Sequence, residues 1–308
     1  MLTRLAESLY WFGRYVERAE YTARLLDVHY HLLLEDPWAD EPAACHALLE
    51  VMGVQPNESE ACDIDTVTRR LAYDRSYGGS IVGSVAYAWH NARGAREVIS
   101  SEIWECLNAT HLEIGAYAAA SRAQPHKFFT WVKERAAILA GLADSTMSHD
   151  DAWRYLIVGR CLERVDMTAR LLSSRYDVVW GHGGWITTLR CCSAYEAYLR
   201  TYQRAVDATL AAEFLLLDRL FPRSVFWALA TAEQCLHEID PSSTRTGLGD
   251  DARRIIGRAR TDLEFRPRDD LLGSLPEHLA RLQDECSSAG AAIAQRYFRH
   301  TRPLEWSA

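Results

Sequence analysis

The sequence predicts an all-α fold: a single merged helical bundle built from two duplicated multi-helix halves related by a pseudo-twofold. Three observations lead there. Apolar residues recur at the 3.6-residue period of a helix, and no segment sustains strand-like alternation. A fifteen-residue signature occurs twice: Gly13-Arg14-Tyr15-Val16-Glu17-Arg18-Ala19-Glu20-Tyr21-Thr22-Ala23-Arg24-Leu25-Leu26-Asp27 returns as Gly159-Arg160-Cys161-Leu162-Glu163-Arg164-Val165-Asp166-Met167-Thr168-Ala169-Arg170-Leu171-Leu172-Ser173, with nine positions identical. Strong boundaries between the halves, about 1–147 and 148–308, are few, so one domain is expected.

The elements follow from local signals. Thr3 caps a long helix running to about Glu35, and Asp36-Pro37 stops it. A short helix follows Pro42, and Gln55-Pro56-Asn57-Glu58-Ser59-Glu60 reads as an exposed loop. A helix near Asp63 to Tyr73 leads into the Asp74–Gly79 turn, after which Ser80 caps a helix reaching about Asn108. Helices near Thr110 to Ser121 and Lys127 to Ala143 come next. Ser148 with Asp151 resembles a capping box and opens the second signature helix, about 149–175. After the glycine-rich break Trp180–Trp185, helices are expected near 186–203, 205–219, 222–239, 249–265 and 276–299. The Pro241–Gly249 loop is the most flexible-looking internal piece. Beyond the signature the halves match weakly: Ser84-Val85, Ala88 and Ala92 align with Ser224-Val225, Ala228 and Ala232, a register shift of six.

What the duplication retained is charge. At 100 degrees per residue, Tyr15, Ala19, Thr22, Ala23 and Leu26 share one side of the first signature helix. Arg14, Glu17, Arg18, Tyr21 and Arg24 take the opposite arc with Tyr10; Arg160, Glu163, Arg164 and Arg170 group likewise in the second copy. Three readings stand. The charges form a solvated face with weak local pairs. Or the two helices meet, Glu17 bonding Arg164 while Glu163 bonds Arg18, which fixes register more than it stabilises. Or the arginines line a shared cleft that holds a carboxylate or phosphate by forked hydrogen bonds. Carboxylates three apart (Glu17/Glu20, Glu163/Asp166) have spacing that serves metals in bundles. Glu-x-x-His pairs are missing there and the arginines between repel cations, so no metal and no cofactor is expected.

A second polar helix is expected over Asn91–Asn108. Ala88, Ala92, Ala95, Ile99 and Ile103 make its apolar face, and Arg93, Arg96, Glu97, Ser100, Trp104 and Asn108 make an adjacent stripe. A Trp within a polar stripe suits a pocket wall or partner surface; the structural alternative is an Arg93–Glu97 pair beside a half-buried Trp. Trp185, Tyr195 and Tyr198 read as core or groove. No P-loop, G-x-S-x-G, H-E-x-x-H or nucleophile–base pair is present, and the Gly181–Gly184 run lacks the strand a nucleotide fingerprint needs.

Composition narrows the rest. The 48% hydrophobic and 25% charged content is ordinary for a globular protein, and a net charge of -8 argues against a general nucleic-acid or anionic-membrane surface. Eight scattered cysteines without C-x-x-C fit neither a disulfide framework nor a zinc ribbon. The N-terminal residues lack the apolar core of a signal peptide, and no apolar run approaches the roughly 20 residues that span a bilayer. A cytoplasmic location is expected.

The chain resembles the alpha-E family, a predicted α-helical domain named for its Glu-Arg motif. The resemblance runs over nearly the whole chain and rests on Leu9–Glu20, Ala92–Asn108, Gly159–Leu172 and Tyr195-Glu196-Ala197-Tyr198; Val165 stands where the family more often has Ala. Such proteins accompany circularly permuted ATP-grasp amide ligases and transglutaminase-like proteases. The resemblance therefore implies a role in making, holding or trimming a peptide-like product, and it carries over no catalytic residues. The expected function is a non-catalytic scaffold that binds the ligase and its peptide substrate. The alternatives are an enzyme of the same pathway with an Arg/Glu-lined cleft, and a purely structural oligomer.

Overall fold

Two long helices, α1 (Thr3–Glu35) and α7 (Asp151–Tyr176), pack most extensively on one another and carry the two signature copies. The structure is a computed structural model that describes residues 1–36, 38, 40–55, 62–176, 184–241 and 245–298. Pro37, residues 56–60 of the expected loop, residues 180–183 of the glycine-rich break and Ser242–Thr244 lie outside the described residues. Among the described residues every regular element is helical.

On α1 pack α4 (Ile81–Gly94) and α6 (Pro125–Thr146), with α5 (Ser101–Ala120) against both. On α7 pack α11 (Val225–Ile239) and α14 (Leu275–Tyr297), with α12 (Asp251–Phe265) against both. Shorter elements fill the gaps: α2 (Glu41–Val51), α3 (Ile64–Thr68) running into a π-helical turn Arg69–Tyr73, α8 (Gly184–Cys191), α9 (Tyr195–Tyr202), α10 (Ala208–Leu217) and α13 (Arg268–Gly273). One continuous apolar core extends from Leu5 through Leu25, Val158 and Leu171 to Phe298. Each fully buried Leu in it stabilises the fold by about 1.5–3 kcal/mol relative to exposure.

Several expected boundaries move, for local reasons. Leu2 rather than Thr3 is the N-cap of α1, without a side-chain cap. Asp150 rather than Ser148 supplies the acceptor at the start of α7, taking the Ala152 N–H at 2.9 Å. The expected 186–203 helix is two, α8 and α9, because Ser193 adopts a left-handed conformation (φ 52°) that ends α8 while the Ala194 N–H bonds the Leu189 carbonyl.

The largest correction concerns the helix expected from Ser80 to Asn108. It breaks after Gly94: Ala95 caps α4, and Ser100 accepts the Ile103 N–H at 3.2 Å to start α5. The starts of α4 and α11 are alike. Ser80 Oγ donates to the Asp74 carbonyl and accepts the Gly83 N–H; Ser224 Oγ donates to the Asp218 carbonyl and accepts the Trp227 N–H. Ser80 and Ser224 thus hold the starts of α4 and α11 by the same pair of hydrogen bonds, one turn before the Ser84 that the sequence alignment sets against Ser224.

Candidate functional site

The α1–α7 crossing is unusually close because glycine occupies both sides of it. A Cβ on Gly13 would meet the Leu156 carbonyl oxygen at 2.1 Å, and one on Gly159 would meet the Tyr10 carbonyl oxygen at 2.0 Å. With the backbones in contact, side chains one turn further along each helix reach across to the other.

Glu17, only 2% exposed, accepts a forked pair from Arg164: Nε at 2.9 Å and Nη2 at 2.7 Å. Arg223, in the turn before α11, donates to Glu17 at 3.1 Å and also to Glu20. The remaining Arg164 donor, Nη1, goes to the Pro222 carbonyl at 2.7 Å. Glu163, fully buried, accepts from Arg18 through Nε at 2.5 Å and Nη2 at 3.0 Å, and from Arg14 Nε at 2.7 Å. Arg14 donates further to the Tyr10 hydroxyl at 3.2 Å and lies over the Trp11 ring, while Arg18 lies over the Tyr15 ring. Arg24 and Arg170 turn back on their own helices, to Glu20 at 2.6 Å and Asp166 at 3.0 Å.

The polar arc is therefore an interior seam, and Tyr10 and Tyr21 within it are buried as deeply as the leucines. Burial alone would raise both glutamates. For Glu17, Arg164 and Arg223 outweigh that and bring the carboxyl down to about 2. For Glu163, Arg14 and Arg18 likewise hold it below the ordinary carboxylate range. Asp166 goes the other way: burial raises it, because its partner Arg170 is a third exposed and offsets less. Both signature glutamates stay ionised and forked to arginine at neutral pH, so neither offers a free proton acceptor.

Arg160 is the exception. Its Nε and Nη1 are buried without a hydrogen-bond partner among the described residues, although its charge acts on Glu17. Arg223 occupies the place beside Glu17 that Arg14 takes beside Glu163. Nothing periodic marks Arg223, which lies in a turn, so its role was not legible in the sequence. Within this cluster seven arginines (14, 18, 24, 160, 164, 170, 223) face four carboxylates (17, 20, 163, 166).

The Arg93–Asn108 residues come together differently from a single helical stripe. Arg93 ends α4, Arg96 and Glu97 sit in the turn, Ser100 caps α5, and Trp104 and Asn108 lie on α5. Trp89, not anticipated, organises them. Its Nε1 donates to Asn108 Oδ1 at 2.9 Å, its ring lies 6.1 Å from Trp104 and stacks on His111 at 4.5 Å. Arg93 covers Trp89 at 5.5 Å and Arg96 covers Trp104 at 5.0 Å, while Glu97 forms a long, exposed pair with Arg4 at 3.9 Å. Among the described residues no cluster of His, Cys, Asp and Glu has the makings of a metal site, all eight cysteines are free, and no helix is long and apolar enough to cross a membrane.

Comparison with known proteins gives the family and distant relatives. An uncharacterized protein of Mycobacterium bovis is 25% identical over 266 residues, covering 78% of this chain and 30% of the relative. One from Mycobacterium tuberculosis H37Rv is 24% identical over the same length. The chain thus spans less than a third of the relatives it matches. No solved structure matches. Residues 1–298 match Alpha-E, described as a predicted alpha-helical domain with a conserved ER motif. The chain carries a Glu-Arg step on α1 and another on α7, and it belongs to the Alpha-E family.

Proposed function

We propose that this chain is a non-catalytic helical accessory subunit. It binds an ATP-grasp-type amide ligase, a transglutaminase-like protein and their peptide-like substrate within a peptide-modification system. The observation that carries the non-catalytic reading is the sealing of Glu17 and Glu163. The signature's two acids are each closed from solvent by arginines of the other helix, so the motif serves to fix how α1 crosses α7. The class of partner comes from the family resemblance. More than two thirds of each mycobacterial relative lies outside the match, which suits a module working beside other domains. The matching Ser80 and Ser224 hydrogen bonds support descent of the two signature halves from one duplication. The cytoplasm is the proposed compartment.

The recognition surface in this reading is the arginine-capped tryptophan pair of Trp89, Arg93, Arg96 and Trp104, a composition enriched in interface hot spots. The test is to purify the chain with an ATP-grasp-type amide ligase from the same cell and to assay ATP-dependent amide formation with and without the chain. Stimulation by the chain, lost in Arg93→Ala/Arg96→Ala, supports the reading; turnover by the chain alone overturns it.

A second reading, an enzyme of the same pathway whose arginines hold a carboxylate or phosphate, is favoured by Arg160. Two buried N–H groups without a partner, in a cluster with three more arginines than carboxylates, suit a small anion. Calorimetric titration with phosphate and with glutamate, on the wild-type chain and on Arg160→Met, tests it. Equal heats in the two proteins remove this reading.

A further inference from the structure

An open groove of about 900 Å³ lies along α12 and α14, on a helix pair that the signature does not use. Five arginines line it: Arg253, Arg254 and Arg258 from α12, Arg266 just beyond, and Arg281 from α14. Two are engaged, Arg254 with Asp251 at 2.6 Å and Arg266 with Asp262 at 3.1 Å. The side chains of the other three, Arg253, Arg258 and Arg281, make no hydrogen bond or ion pair among the described residues, and the Arg253 Nε is buried. This contrasts with the signature, where arginines are forked onto carboxylates.

Two of the four acids lining the groove are occupied. Glu233 accepts from Arg260 at 2.6 Å and Asp262 is held by Arg266, which leaves Asp270 and Glu285. Leu248, Pro267 and Phe265, the last 76% exposed, give the groove an apolar border. At Gly257 a Cβ would meet the Glu233 carboxylate at 3.1 Å, so a bare backbone keeps this stretch of the floor open.

We propose that this groove binds an extended acidic peptide segment, its carboxylates pairing with Arg253, Arg258 and Arg281. Arg253 and Arg258 stand five residues apart, about 7.5 Å along the helix, a span that long side chains bring within reach of alternate positions of an extended chain, roughly 6.6 Å apart, while Arg281 lines the groove from α14. Carboxylates spaced along an extended chain therefore meet guanidinium forks from both helices. An inorganic anion uses only the arginines and is opposed by Asp270 and Glu285. A peptide also places amide N–H groups against those two acceptors and apolar atoms against Phe265. The site is independent of the accessory reading, since ligase binding and groove occupancy are measured separately.

The test uses a short fluorescein-labelled peptide of alternating Glu and Ala, with fluorescence anisotropy on the full chain. Binding is expected, weakened by added salt and reduced roughly tenfold or more in Arg258→Gln/Arg281→Gln. Both positions are exposed, so the double variant keeps its fold, as circular dichroism checks. Any of four results overturns the proposal: no binding to the wild-type chain, equal binding to the double variant, equal binding of a Gln-Ala peptide, or displacement by inorganic phosphate at equal concentration.

Discussion

Gly13 and Gly159 face each other's helices across the α1–α7 crossing, each against a main-chain carbonyl, Leu156 for one and Tyr10 for the other. Neither side of the contact has room for a methyl group. The forked Glu-Arg pairs one turn away depend on that approach, since a guanidinium reaches a carboxylate on the next helix only when the axes are close.

Gly13→Ala or Gly159→Ala therefore lowers stability by about 1–3 kcal/mol or more through overpacking. Gly141→Ala, on the exposed side of α6 with nothing near its Cβ position, raises stability by about 0.5–1 kcal/mol through helix propensity. Urea unfolding of the three variants checks the opposite signs; a Gly13→Ala protein as stable as wild type removes the close-crossing argument.

Removing one charge from the seam leaves arginines buried without a counterion. Glu163→Gln strands Arg14 and Arg18, and Glu17→Gln strands Arg164 and takes one of its two carboxylates from Arg223, which keeps Glu20. Each is expected to cost about 3 kcal/mol or more. Asp166→Asn, whose partner Arg170 reaches solvent, costs less. Chemical denaturation midpoints rank the three; an inverted order would place the structural weight elsewhere.

Acid should act on the same pairs. Glu17 is depressed from an ordinary value near 4.5 to about 2, and Glu163 is depressed as well. Their stabilisation is fully present above about pH 4.5 and is lost as the pH falls toward 2. Asp166, raised by burial, opposes this slightly, since its ionisation costs stability at higher pH. Unfolding midpoints measured across that acid window fall steeply for wild type and more shallowly for Glu17→Gln; parallel curves would contradict the assignment.

Arg93→Ala and Arg96→Ala remove only the caps over Trp89 and Trp104. Exposed cation–π contacts contribute about 0.5–1 kcal/mol, so thermal stability changes little. Retention on an immobilised ligase is expected to fall sharply. Unchanged retention with both arginines removed would move the recognition surface away from this patch.

The sequence made the helical class, the two signature helices and the Glu17–Arg164 and Glu163–Arg18 contacts legible, because periodicity and a doubled charge pattern are local records of long-range packing. Arg223 was illegible: a turn has no period, and its carboxylates are more than 200 residues away. The 95–100 break was obscured by apolar spacing that continues through it, although Gly94 and the Ser100-Ser101-Glu102 start signal lay in plain view. Trp89 escaped for the same reason, since the turn alone brings it to Trp104.

Glu17 waits for its counterions during synthesis. Arg164 is 147 residues downstream and Arg223 is 206, whereas α1 is made first. At about 5–20 residues per second, roughly 7–30 s pass before the ribosome delivers Arg164. Through that interval α1 is an emerged helix whose Arg14, Glu17 and Arg18 have no mate on α7, so the crossing closes late, and a nascent chain stalled before Arg164 holds its first half unlatched.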